Sequence, residues 1–234
     1  MLRSLAALAF LAASTLVIGL LAIGAGLLSP GGELMLSLGR VWARANLRAA
    51  GIHLTVRGAE RVRSGCTYIF LANHQSNLDP LAIMVATPVP FRVVAKRFLF
   101  WIPIFGQAIW LLGIIPIDRA HRGRAIRSMH RAAERIRGGM SVYFFPEGTR
   151  SRDGTLLPFK KGAFVVAAQA RVPVVPVVIE GSGVLWPKGS LRIRSGEMRL
   201  TFGEPIGTEG LTVQSKDRLM DAVRRQMLAG LAAG

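Results

Sequence analysis

His74 and Asp79 stand five residues apart in a polar segment that directly follows an apolar run, residues 67–72. A carboxylate that accepts a hydrogen bond from one imidazole nitrogen fixes the tautomer and leaves the other nitrogen free to take a proton. A turn can fold Asp79 back onto His74, so we predict that His74 is a general base and Asp79 its partner. Asp79 followed by Pro80 is also typical of a helix start, so a helix cap beside a structural histidine is the alternative.

Two further apolar runs end in polar, basic segments. Residues 141–145 lead into a turn with Gly148 and Arg150, and residues 113–117 end just before Arg119. Glycine permits a tight turn, and a planar guanidinium matches two phosphate oxygens. Ligands of α/β sheets bind where parallel strands end. We therefore predict that these segments converge on one site for a phosphate, with unrelated surface charge as the alternative.

No enzyme nucleophile is recognisable in the chain. Ser182 lies between Gly181 and Gly183, which is not the Gly-x-Ser-x-Gly pattern of a nucleophile elbow. Cys66 is the only cysteine, which excludes an internal disulfide and a zinc site built from cysteines. We expect no metal, and we expect the substrate to supply the attacking hydroxyl.

Apolar runs and helical patterns alternate beyond residue 50. This alternation predicts an α/β domain with a central mixed, largely parallel sheet and flanking helices. An antiparallel hairpin is predicted over residues 191–202, at the edge of the sheet. The predicted strands are residues 67–72, 91–95, 113–117, 141–145 and 173–179. The predicted helices are residues 126–136, 159–170 and 219–227.

The N-terminal segment is the longest apolar stretch. Residues 5–28 carry no charge and are followed by a Ser-Pro-Gly-Gly cluster that stops a helix. About 24 helical residues rise about 36 Å, which is enough to cross a hydrocarbon core of about 30 Å. We predict a membrane helix here, with a cleaved signal peptide as the alternative. The charges do not decide whether this helix crosses the membrane or re-enters on the same side.

Residues 33–50 have the pattern of an amphipathic helix at the membrane interface, with an ordinary surface helix that faces the core as the alternative. The arginines that follow the apolar segment favour the cytoplasmic side. We thus predict an N-terminal membrane region, residues 1–50, and a catalytic domain, residues 51–234. The apolar face comprises Leu34, Leu38, Val41, Trp42 and Ala45, and the row of arginines comprises Arg40, Arg44 and Arg48.

Composition supports membrane lipids as partners. The formal net charge is +17, yet 51% of the residues are hydrophobic. That combination suits a surface pressed against anionic headgroups better than a nucleic-acid binder, which would be polar with its charge on one face. We expect no nucleic-acid partner, and a bacterial inner-membrane location with the catalytic domain facing the cytoplasm.

Four segments together resemble the family of 1-acylglycerol-3-phosphate (lysophosphatidic acid) acyltransferases. They are the His-x-x-x-x-Asp block formed by His74 and Asp79, and residues 113–119, 145–151 and 172–177, in the family's order. The resemblance covers roughly residues 50 to 205. Pro116 departs from it, because the family often has an aromatic residue there.

The resemblance implies transfer of a fatty acyl group to the sn-2 hydroxyl of 1-acylglycerol-3-phosphate, giving phosphatidic acid. The donor would be a thioester of coenzyme A or of acyl carrier protein, and no cofactor is expected. By similarity His74 is the base and Asp79 its partner, while Arg119 and Arg150 hold the acceptor phosphate. Glu147, Gly148 and Thr149 would shape the acceptor site, and Lys96 is a candidate donor to the oxyanion.

Other functions remain compatible with the same residues. The acceptor could be another lyso-lipid, such as a lyso-ornithine lipid, since related enzymes share these segments. A non-catalytic membrane adaptor or a basic nucleic-acid binder would be a different class of protein. Steeply salt-dependent binding to DNA or RNA would mark the last of these.

Overall fold

The computed structural model describes residues 1–30, 32–118 and 122–232. Within these residues, seven strands form one sheet with helices on both faces, which confirms the predicted fold class. The strands are β1 Ile52–Arg57, β2 Ile69–Ala72, β3 Phe91–Lys96, β4 Ile115–Ile117, β5 Ser141–Phe144, β6 Val174–Glu180 and β7 Gly196–Phe202. The helices are α1 Leu2–Leu28, α2 Glu33–Ala49, α3 Asp79–Ala86, α4 Phe105–Leu111, α5 Arg122–Arg137, α6 Gly162–Ala170, α7 Ser182–Leu185 and α8 Lys216–Ala232. Short 3-10 helices span Ala59–Arg61 and Arg97–Trp101.

The sheet is mixed, as predicted, and its centre is parallel. The strand order is β1-β7-β6-β2-β5-β3-β4. Strands β2 to β6 run in one direction, while β7 pairs antiparallel with β6 and parallel with β1. Because β5 and β6 flank β2 in parallel, the segments that leave β2 and β5 emerge at the same edge of the sheet.

The central strands are buried on both faces, as crossover connections with helices require. All four residues of β2 are buried, and successive side chains alternate between the faces. Ile69 and Leu71 pack with α5, α6 and α8, whereas Phe70 and Ala72 pack with α1, α2 and α3. The polar residues that follow β2 are thus held at the rim of a core with two layers.

The predicted hairpin over residues 191–202 is wrong. Strand β7 begins only at Gly196, and residues 191–195 form no strand. The backbone groups of Ile193 bond to the Ser4 hydroxyl, and the Arg194 amide bonds to the Leu185 carbonyl, so this segment pairs with α1 and α7. The outer partner of β7 is β1, a strand that the sequence did not predict.

Helices α1 and α2 form an antiparallel hairpin. The Trp42 indole donates to the Thr15 hydroxyl at 3.1 Å, and the Asn46 amide donates to the Ser14 hydroxyl at 3.0 Å. Leu34 and Val41, on the predicted membrane-facing side of α2, are exposed. Contact with α1 and α3 instead covers a face rotated from the predicted one. Its buried residues are Met35, Leu36, Ala43, Asn46 and Leu47.

Both ends of α1 contact the rest of the molecule. The Arg3 guanidinium donates to the Ser195 hydroxyl at 2.6 Å and to the Ala50 carbonyl at 3.0 Å. At the other end, Gly26 packs against α4 so closely that a Cβ would lie 3.0 Å from the Cβ of Leu111. With 27 residues α1 is long and apolar enough to cross a membrane. Its exposed large apolar residues are Leu2, Leu5, Phe10, Leu16, Val17, Leu20, Leu21, Leu27 and Leu28.

Candidate active site

Asn73 fixes the point at which the chain leaves β2. Its side-chain amide donates to the Ile179 carbonyl at 2.8 Å and accepts from the Ile179 amide at 2.7 Å. An asparagine side chain can do both because it carries a donor and an acceptor, like a peptide group. The end of β2 is therefore clamped to the end of β6, and the next residue, His74, starts from a defined position.

His74 and Asp79 form the predicted pair. His74 Nδ1 lies 2.7 Å from Asp79 Oδ2, the histidine side chain is 19% exposed and the aspartate is fully buried. The same oxygen accepts the backbone amides of Gln75 at 2.7 Å and Ser76 at 2.8 Å. Three donors thus compensate for the burial of Oδ2, which would otherwise be costly, whereas Oδ1 is buried without a hydrogen-bond partner among the described residues. His74 Nε2 forms no hydrogen bond with any described residue and is available to a substrate.

The alternative role of Asp79, as a helix cap, is wrong. Helix α3 begins at Asp79 itself, Leu78 occupies the cap position, and no side chain caps the helix. The carboxylate points back to the preceding turn, because the His74 ring and two backbone amides offer donors there. Pro80 lies in the first turn of the helix, close to its predicted place.

The second turn, after β5, holds His74 from the other side. The Phe145 ring stacks on the imidazole with centroids 4.1 Å apart and planes inclined by 23°. The Ser151 amide donates to the His74 carbonyl at 2.8 Å. The turns after β2 and β5, which lie far apart in the sequence, therefore form one structural unit.

Glu147 is the buried link between the two turns. Its carboxylate accepts the His74 amide at 2.7 Å and the Leu157 amide at 2.8 Å, and the residue is 2% exposed. Burial raises the pKa of Glu147, while hydrogen bonds from these two amides act in the opposite direction. Both oxygens of Glu147 are engaged by the backbone, so this side chain positions His74.

Arg150 and Thr149 lie on the open side of the second turn. Thr149 is exposed, and Arg150 is half-buried, with Nη1 donating to Asn77 Oδ1 at 2.8 Å. Gly148 has φ of 74°, a left-handed conformation that a side chain would strain. Lys188, which the sequence did not single out, donates to the Thr149 hydroxyl and the Arg150 carbonyl, both at 3.0 Å. Only its charge could have suggested it, since no motif surrounds it.

Two of the predicted substrate-binding residues have roles that the described contacts do not establish. Lys96 is exposed, its ammonium lies 6.0 Å from the centroid of the Phe98 ring, and no described hydrogen bond connects it to either turn. Arg119 falls outside the described residues. Its neighbour Asp118 forms ion pairs with Arg124 at 2.8 Å and Arg97 at 3.9 Å. The roles of Lys96 and Arg119 stay predictions.

The arrangement is suited to moving a proton beside an anion. A partly exposed imidazole is oriented by a buried carboxylate and a stacked ring, and a guanidinium lies on the adjoining turn. Across the described ranges, no group of three or more His, Cys, Asp or Glu side chains could hold a metal ion. General base catalysis on a hydroxyl of a phosphate-bearing molecule fits these groups.

Known proteins with a similar sequence or fold carry related names. A model of the family described as Acyltransferase matches residues 53–180. The chain is 41% identical to the human 1-acyl-sn-glycerol-3-phosphate acyltransferase alpha over 76% of its own length and 63% of the relative's. It is 36% identical to a 1-acyl-sn-glycerol-3-phosphate acyltransferase of Limnanthes douglasii, over 78% and 65% of the two chains. The matched part thus spans less than two thirds of these relatives.

A solved structure extends the likeness to nearly the whole chain. It is the crystal structure of the 1-acyl-sn-glycerophosphate (LPA) acyltransferase PlsC from Thermotoga maritima. The TM-score is 0.87 at 26% sequence identity, with 99% of this chain and 94% of the other covered. The similarity therefore includes the helical hairpin α1–α2 as well as the sheet.

Proposed function

Because the chain belongs to the acyltransferase family, we propose that it transfers a fatty acyl group from a thioester to the sn-2 hydroxyl of 1-acylglycerol-3-phosphate, giving phosphatidic acid. The observation that carries the proposal is the His74–Asp79 pair, 2.7 Å apart, at the same strand ends as Arg150. The names of the relatives support the choice of acceptor.

The proposed chemistry is a single displacement at the thioester. His74 Nε2 removes the proton of the acceptor hydroxyl as its oxygen attacks the carbonyl carbon. The new carbon–oxygen bond forms, the carbon–sulfur bond breaks, and the proton passes from His74 to the departing thiolate. Asp79 holds the imidazole through Nδ1. Most of the rate enhancement would come from placing the two substrates and stabilising the oxyanion.

The acceptor phosphate would meet the open side of the second turn. Arg150 offers a planar fork there, and Lys188 and the Thr149 hydroxyl add donors beside it. Arg119 is proposed to join them from the end of β4, by family resemblance, and Lys96 remains a candidate for the oxyanion. Glu147 would act through His74 and not on the substrate.

We also propose that the protein attaches to one side of a membrane through the helical hairpin. Arg3 bonds to Ser195 and Ala50, so the start of α1 lies against the catalytic domain, and so does its end. A helix that crossed the bilayer would place its start on the opposite side from the domain. The exposed apolar side chains of α1 would instead enter the near leaflet. A bacterial inner membrane with the domain on the cytoplasmic side is the location we favour.

A thioester-release assay tests the function directly. Purified full-length protein in detergent receives an acyl thioester and a panel of acceptors: lysophosphatidic acid, other lysophospholipids, lyso-ornithine lipid and monoacylglycerol. We expect release with lysophosphatidic acid and formation of phosphatidic acid. Preference for another lyso-lipid would change the assigned acceptor. Absence of thioester release with every acceptor would contradict the proposed function and favour a non-catalytic membrane adaptor.

A further inference from the structure

An arginine-lined cleft of about 530 Å³ lies along β4, the edge strand of the sheet. The acidic residue that lines it, Asp118, pairs with Arg124 and Arg97. The cleft is lined by Arg97, Arg124, Arg127, Arg131 and Arg135, together with Trp110. Its volume falls in the range of small-molecule sites, about 300–1,000 Å³.

The arginines of α5 exceed what the described residues can neutralise. Residues 124, 127, 131 and 135 recur at spacings of three and four, so they form one row along the helix. Like charges at these spacings repel each other. Arg127 and Arg131 are exposed and form no ion pair with any described residue, whereas Arg135 donates to the Gly113 carbonyl at 3.2 Å. A bound polyanion would relieve this repulsion.

Trp110 adds an exposed aromatic surface to the arginine-lined cleft. Its indole is 68% exposed, although an apolar side chain of this size is usually covered. An open aromatic face next to a row of guanidinium groups suits a nucleotide, whose base stacks on the ring while its phosphates take bidentate hydrogen bonds. A bare phosphate would contact only the guanidinium groups, and an acyl chain would contact only the aromatic ring.

The distance between the cleft and His74 is compatible with one donor molecule that reaches both. Strand β4 is three strands from β2, which corresponds to about 14 Å at about 4.8 Å per strand. The pantetheine arm that joins a thioester sulfur to a nucleotide phosphate has roughly 13 backbone bonds, or about 15 Å when extended. A donor with its phosphates in the cleft can therefore present its thioester at His74.

We propose that this cleft binds the adenosine phosphate portion of a coenzyme A thioester, with Trp110 under the adenine and Arg127 and Arg131 on the phosphates. The inference rests on the proposed function and identifies its acyl donor. It also assigns the arginine row of α5 to the donor, and β3 separates the cleft at β4 from β5, the strand that leads into the turn with Arg150.

Direct binding tests the inference without turnover. Titration calorimetry of the full chain in detergent with free coenzyme A should show binding, and Arg127→Ala/Arg131→Ala should weaken it about 10- to 100-fold. A matched control, Arg218→Ala/Arg225→Ala, removes the same charge from α8, outside the cleft, and should bind like the wild type. Equal losses in both double variants, or no loss in the first, would overturn the proposal.

Kinetics separate the donor's nucleotide from its thioester. In Arg127→Ala/Arg131→Ala the KM for acyl-coenzyme A should rise by the same factor as the binding loss. The KM for acyl-pantetheine, which lacks the nucleotide, and the KM for the acceptor should stay at wild-type values. A similar rise for both donors would contradict a nucleotide site.

Two other occupants give distinguishable results. If the double variant loses binding only to phosphatidylglycerol vesicles, the cleft serves lipid headgroups and the inference is wrong. If it loses activity only with acyl-carrier-protein donors, the cleft receives an acidic protein and the inference is again wrong. A wild type that binds coenzyme A but transfers no acyl group would refute the proposed function and leave the nucleotide site standing.

Discussion

The turn after β2 and the turn after β5 end neighbouring strands, yet they are built differently. In the first, Asp79 is fully buried and one of its oxygens receives three hydrogen bonds. In the second, Thr149 is exposed and Arg150 is only half-buried. Proton transfer needs a base at a fixed angle and distance, whereas ligand capture needs donors that are still open. The comparison assigns orientation of the base to the first turn, with Phe145 and Glu147 as its support, and ligand binding to the open side of the second.

The largest effect is expected from His74→Ala in the first turn. Loss of the base should lower kcat by at least about 100-fold in the thioester-release assay. The fold should survive, because the backbone amide and carbonyl of residue 74 keep their bonds to Glu147 and Ser151. Thermal unfolding provides the control, and a stable variant with unchanged turnover would remove His74 from the mechanism.

Asp79→Asn should have the next largest effect. The base remains, but the negative charge that holds its tautomer is lost, so kcat should fall about 10- to 100-fold. The KM for the acceptor should not change, because the Asp79 side chain is fully buried and its described hydrogen bonds all go to the His74 turn. A rise in KM with unchanged kcat would mean that the His74–Asp79 pair contributes to acceptor binding. The turns after β2 and β5 would then not differ in function.

Arg150→Ala should affect binding and leave the chemical step intact. Loss of a charge-assisted hydrogen bond costs about 1.5–3 kcal/mol, so the KM for lysophosphatidic acid should rise about 10- to 100-fold. Transfer to monoacylglycerol, which lacks the phosphate, should be unchanged. An equal loss with both acceptors would show that Arg150 acts on the structure of the turn.

Asn77→Ala is the matched variant for Arg150. It removes the acceptor of the 2.8 Å hydrogen bond from Arg150 but keeps the guanidinium. We expect a KM increase of only about two- to twelvefold, since one neutral partner contributes about 0.5–1.5 kcal/mol at most. An effect as large as that of Arg150→Ala would indicate that orientation, and not charge, limits acceptor binding.

The smallest effect concerns the loop that follows the second turn. Hydrogen bonds from the Thr155 hydroxyl and amide and from Ser151 lower the pKa of Asp153 to about 2. A lowered carboxyl pKa stabilises the folded loop above the ordinary value of 3.8, and this contribution is lost as the pH falls through about 2. Thr155→Ala should raise the pKa of Asp153 toward 3.8, measured by carboxyl NMR titration. An unchanged pKa would mean that other contacts hold the loop.

Much of the architecture could be predicted because strong local patterns specify it. Continuous apolar runs marked the five parallel strands, and the family match confirms the resemblance carried by the four sequence segments. Strand β1 was not predicted because five of its six residues are not buried, so its pattern is not that of a core strand. Its parallel pairing with β7, far along the chain, depends on tertiary contacts that no local window contains.

The site could be predicted in its parts but not in its connections. The spacing of His74 and Asp79 was enough to expect their pairing, which the 2.7 Å contact confirms. Nothing in the sequence indicated that Glu147 would bond to the His74 backbone, because the same carboxylate could equally face a substrate. Lys188 was not predicted for a related reason. A lone lysine can take many positions, and the residues around it in the sequence do not indicate which one it takes.

Cys66 lies in the loop before β2, at the opposite end of that strand from His74. It is exposed, and it is the only cysteine in the chain. A single maleimide reaction would therefore label every molecule at one known place without touching the candidate site. A fluorophore or spin label there would report the depth and tilt of the domain on a lipid bilayer during turnover.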